Sequence, residues 1–96
     1  MEIDNLLESY LKVREEKKKA ISSQKYEEAA NARDSERKYS IDLYELLSGN
    51  KAEDFDYKKF DKLIDEYCMS KYEVSIYDTY SLTQIIRQKR LNDLGI

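Results

Sequence analysis

The sequence contains no proline and only two glycines in 96 residues. Proline breaks a helix interior and glycine weakens one, so a chain nearly free of both favours long helices. In the first segment Ile3, Leu6, Leu7, Tyr10 and Leu11 recur at helical spacing. The apolar stripe thins through Arg14-Glu15-Glu16-Lys17-Lys18-Lys19 and returns at Ala20 and Ile21. Ser22-Ser23-Gln24-Lys25 then places two poor helix formers in a stretch without apolar residues, which predicts a turn.

A second helix is expected from about Tyr26 to Leu47. Its inner face would carry Tyr26, Ala29, Ala30, Arg33, Tyr39 or Ser40, Leu43, Tyr44 and Leu47. Gly49 is positioned to cap it in the left-handed conformation. A short connection between two long helices implies antiparallel neighbours, hence a hairpin. A third helix begins near Asp54, read as its N-cap, with Asp56 in the first turn. Its stripe is Tyr57, Phe60, Leu63, Ile64, Tyr67 and Cys68. Residues 72–80 alternate like a strand, yet no second strand pattern exists to pair with them. They read either as an extended connection or as a helix extension. Ser81-Leu82-Thr83-Gln84 matches a capping box and starts a last helix that Gly95 would end. The expected fold is therefore all-α, an antiparallel hairpin over residues 1–50 and two further helices over 51–96 in one small bundle.

Composition narrows the function. Leu, Ile, Val and Phe total 22, enough for a thin core but for none of the large enzyme folds. Histidine is absent, which removes His-based triads and His metal sites. Net charge is −3, and neither half of the chain is basic, so no nucleic-acid footprint is expected. No long apolar run suggests a membrane span, and the acidic start is unlike a signal peptide. Cys68 stands alone, pointing to a reducing compartment and a cytoplasmic location.

Lys17 to Arg37 reads KKKAISSQKYEEAANARDSER. Ala20, Ile21, Gln24, Tyr26, Glu27, Ala29, Ala30, Arg33, Asp34 and Glu36 carry a pattern that resembles the UVR motif. That motif is the helical hairpin of bacterial excision-repair subunits, and the version here looks closest to the one in Clp-type unfoldases. Ala29 and Ala30 would let two helices approach closely. Tyr26 would close the apolar end beside the turn, and Arg33 would pair with Glu36, Glu15 or Glu16. The chain departs from the family at two positions. Ala32 stands where a large aliphatic residue is usual, and Lys25 where an acidic one is. The resemblance implies a non-catalytic contact element.

The remaining features have simple structural explanations. Glu53, Asp54 and Asp56 lack the spacing of a calcium loop and read as caps. Arg87, Lys89 and Arg90 complement a helix C-terminus. Cys68 sits on an apolar stripe and reads as core. No metal or cofactor is expected. Nine tyrosines are many for so short a chain, and Tyr72, Tyr77 and Tyr80, with Asp78, form either a contact surface or a cover folded over the small core. Lys18, Lys25 and Glu28 lie on the outer face of the hairpin and form a second candidate surface. These readings converge on a protein-binding module, an adaptor or regulator of a larger bacterial machine, with a homodimer left open. The alternative is a small acidic immunity protein or inhibitor that neutralises a toxin or nuclease.

Overall fold

A computed structural model describes residues 3–95. The chain is all-α, and no strand occurs among the described residues. Helix α1 spans Ile3–Ser22 and α2 spans Tyr26–Ser48. A short 3-10 turn, Ala52–Asp54, follows, and then α3, Tyr57–Tyr72, and α4, Thr79–Asp93. The residues up to Phe55 and those from Asp56 onward form two compact units. The boundary expected after Asn50 thus lies five residues later, because the 3-10 turn belongs with the hairpin.

In the first unit α1 and α2 pack against each other, reversed by a turn of three residues. The turn uses no glycine. Gln24 adopts φ +60°, and the Lys25 and Gln24 amides donate to the Ala20 and Ile21 carbonyls at 2.8 and 3.1 Å. This is the paired-bond C-terminal motif that usually recruits glycine. Side-chain size along the hairpin is graded. Leu6, Leu7, Tyr10 and Leu11 are buried on α1, and Leu43 and Tyr44 on α2, all at the end away from the turn. Toward the turn the buried residues are Ala20, Ala29 and Ala32. Ser40, also buried, returns its hydroxyl to the Glu36 carbonyl at 2.8 Å.

Gly49 ends α2 at φ +74°, as its position predicts. The chain then folds back. The Tyr44 hydroxyl donates to the Asp54 carbonyl at 2.9 Å, and the Phe55 ring meets the Tyr44 ring edge-on at 5.4 Å. Asp54 is therefore part of the 3-10 turn rather than a helix cap. The N-cap of α3 is Asp56, whose carboxylate accepts from the Lys58 amide at 2.9 Å.

In the second unit Phe60, Ile64, Cys68 and Tyr72 form one buried stripe at every fourth residue of α3. Tyr57, expected on that stripe, is half-exposed at the first helical position. Residues 72–80 are neither a strand nor one continuous helix. Tyr72 ends α3, Glu73 caps it at φ +60°, and Asp78 starts α4. Between them Ile76 is buried, and a single oxygen of Asp65 accepts from the Ser75 hydroxyl at 2.9 Å and the Ile76 amide at 3.0 Å. The N-cap of α4 is Asp78 rather than Ser81. Its carboxylate accepts from the Ser81 amide, so helix starts three residues earlier than the capping-box reading places it. A carboxylate favours a helix N-terminus more than a neutral hydroxyl does. Leu82 and Ile86 bury the inner face of α4, and the Lys89 ammonium lies 5.5 Å over the Tyr72 ring.

The Asp65 clasp yields a direct test. Asp65→Ala leaves the Ile76 amide without its acceptor and should cost about 1–3 kcal/mol. Thermal unfolding followed by circular dichroism measures it, and an unchanged melting temperature would show the clasp to be idle.

Candidate functional site

The buried residues of α2 nearest the turn are Ala29 and Ala32. Residues three apart share a helix face, whereas adjacent ones do not. Ala30 is consequently only half-buried at the edge of the contact. Arg33 is exposed, and Tyr26 is 67% exposed, so neither lies on the inner face where periodicity placed it. Tyr26 occupies the first position of α2, beside the turn.

The inter-helix ion pair is made by a different cation than expected. Lys17 of α1 reaches Glu36 of α2 at 2.6 Å, with both side chains largely covered. The carboxylate oxygen it touches is itself buried and makes no hydrogen bond among the described residues. The ammonium therefore compensates the desolvation of that oxygen, and removing Lys17 would strand it.

Beside this contact lies an open groove of about 330 Å³. Its lining is Val13 and Glu16 from α1, with Glu28, Asn31, Ala32 and Ser35 from α2. Ala32 and Val13 supply the apolar surface, and the other four supply polar groups. The groove occurs where the UVR-like pattern usually carries a large aliphatic residue and this chain carries Ala32.

Of the residues singled out in the sequence, Glu28 borders this groove and is exposed. Lys18 is exposed, 3.7 Å from Glu15 of its own helix, a distance at which an exposed pair contributes little. Lys25 is exposed at the turn. Tyr77 and Tyr80, near the start of α4, are 68% and 77% exposed. Asp78 between them is spent on capping. Tyr72 is buried, its ring flanked by the Lys71 and Lys89 ammoniums, so it belongs to the interior of the second unit. The groove that Val13, Glu16, Asn31 and Ser35 help to line escaped sequence reasoning, because a groove is a property of two helices together.

No group of three or more His, Cys, Asp or Glu side chains suited to a metal ion occurs among the described residues. No helix described here is long and apolar enough to cross a membrane.

The first unit is thus a packed helix pair with a polar outer face and an open groove along one side. Residues 11–41 match the family model described as the UvrB/uvrC motif, which covers most of α1 and the first two-thirds of α2. That motif is a helical interaction motif and is not catalytic by itself. The match extends beyond both ends of the stretch in which the resemblance was read. No curated protein and no solved structure matches the chain.

Two predictions follow from the geometry. Lys25 caps α2 at φ −92°, ψ 74°, nearly the angles of Asp78 (−93°, 70°), but its side chain accepts no bond. Lys25→Asp should install the missing cap and stabilise the hairpin by about 1 kcal/mol, read as a higher melting temperature. Ala29→Leu and Ala32→Leu should also differ. The first overpacks the contact at about 1–3 kcal/mol, whereas the second fills the groove at little or no cost. Equal losses in thermal melts would show that the groove offers no room.

Proposed function

We propose that this chain is a non-enzymatic protein–protein interaction module, an adaptor or regulator of a larger bacterial machine, docking through its hairpin. The observation that carries this reading is the groove at Ala32. The inner faces of α1 and α2 are consumed by each other, while the groove and its neighbour Glu28 stay open to solvent. A partner side chain seated on Val13 and Ala32 would supply the apolar volume that the UVR pattern ordinarily supplies from within. Glu16 and Glu28 at its border favour a partner carrying positive charge there. Lys18 and Lys25, exposed on the same hairpin, add rim contacts that act mainly on association rate. The aromatic-Glu-x-Ala-Ala-x-x-Arg-Asp string from Tyr26 to Asp34 makes a Clp-type unfoldase or one of its regulators the first partner to test. The single, buried Cys68 suits a reducing, cytoplasmic setting.

The test is affinity capture from bacterial lysate with the tagged full chain, read by mass spectrometry, comparing wild type with Ala32→Leu. The variant should keep its melting temperature and lose the captured partner about tenfold or more, since its groove is filled. Retention equal to wild type would overturn the groove as the docking point. Capture of a toxin or nuclease instead, lost in Tyr77→Ala or Tyr80→Ala, would favour the inhibitor reading.

A further inference from the structure

We infer that α4 pairs with the α4 of a second copy of this chain, antiparallel, through the face it turns away from its own core. Leu82 and Ile86 mark the inner face of α4. On the opposite side Tyr80, Gln84, Arg87, Leu91 and Leu94 recur at alternating steps of four and three. That is the spacing of a coiled-coil seam, and it spans the whole helix. All five are exposed, Tyr80 at 77%, Leu91 at 41% and Leu94 at 66%. A surface helix usually fills such positions with charge, so three large apolar side chains in one line mark a contact strip.

The strip identifies its own occupant. A two-fold axis between Gln84 and Arg87 sets Tyr80 opposite Leu91 and Gln84 opposite Arg87 in both directions. The same register brings Tyr77, just ahead of the helix, to Leu94. Each aromatic then meets an aliphatic, and each guanidinium meets an amide oxygen that can accept from it. This is the self-complementarity that an isologous dimer requires.

Charge selects the antiparallel arrangement. The cations of α4, Arg87, Lys89 and Arg90, are confined to its C-terminal half. Residues 79–86 carry no charge, and Asp78 stands at the N-cap. A parallel pair would stack Arg87 on Arg87 and align the two helix dipoles. The antiparallel pair sets each C-terminal half, net positive with Arg87, Lys89, Arg90 and Asp93, against the uncharged stretch 79–86, with the dipoles opposed. One helix pair is a small interface, so association is concentration-dependent. The pairing is independent of the hairpin: its failure would leave the groove reading untouched, and the reverse also holds.

Sedimentation of the full chain over a wide concentration range tests it. The weight-average mass should rise from monomer toward dimer. Tyr80→Glu and Leu91→Lys should each weaken association by about tenfold or more while helicity is kept. Both sites are exposed, and each new charge suits its end of the helix dipole. An equimolar mixture of the two variants should associate more tightly than either alone, because the antiparallel register brings the new carboxylate to the new ammonium. A wild-type chain that stays monomeric overturns the proposal, as do variants that associate like wild type. A mixture no tighter than its components overturns the antiparallel register.

Discussion

The small size of the buried side chains at the turn end of α1 and α2 is the constraint on which the rest of the hairpin depends. The separation of packed helices, about 8–10 Å, is set by the side chains at the contact, and small buried residues such as Ala20 and Ala29 permit a close one. A three-residue turn can then join the helices, and Lys17 can reach across to Glu36. Small side chains bury little area, however, and apolar burial contributes only about 25 cal/mol per Å². The hairpin is accordingly anchored at its other end, where Leu6, Leu7, Tyr10, Leu11, Leu43 and Tyr44 gather.

A chain this poor in glycine and proline must end its helices by other means. Gln24 and Glu73 take up left-handed conformations that glycine adopts more readily, at a backbone cost accepted at two helix ends. The returning chain is then secured by side chains acting at nearly equal sequence distance. Tyr44 reaches the Asp54 carbonyl ten residues on, and Asp65 reaches Ser75 and Ile76 ten and eleven residues on. Each polar clasp sits beside a buried apolar residue of its own unit, Tyr44 itself in the first and Ile76 in the second. In both loops, one begun by Gly49 and the other by Glu73, the path is also fixed from the preceding helix.

Much of the fold was legible because helical periodicity is a repeated signal. The α1 stripe, the turn before Tyr26, the Gly49 cap and the α3 stripe from Phe60 to Cys68 all follow from spacing and residue type. Helix starts were less legible, since Asp54, Asp56, Asp78 and Ser81 are all chemically competent caps, and only Asp56 and Asp78 make the capping bond. Face assignments failed at helix ends, as with Tyr26 and Tyr57, because a residue in the first turn has no preceding turn to lie over. Tyr72 was set with the exposed tyrosines by composition, although it continues the four-residue stripe of Phe60, Ile64 and Cys68. The groove required both helices at once. Its one sequence trace was Ala32, a small residue where a large one is usual.

The gradient of side-chain size along the hairpin also divides its resistance to opening. Protection of a backbone amide reflects the free energy of the least costly motion that exposes it, and that energy tracks local apolar contact. The alanine end, closed by Gln24 at positive φ and an α2 without a side-chain cap, is expected to open at lower cost than the leucine-rich end. A partner docking near the turn, as proposed, would meet the end of the helix pair with the least apolar contact and would order it. Part of the binding energy goes into that ordering, so affinity would respond to changes in hairpin stability that touch no interface atom.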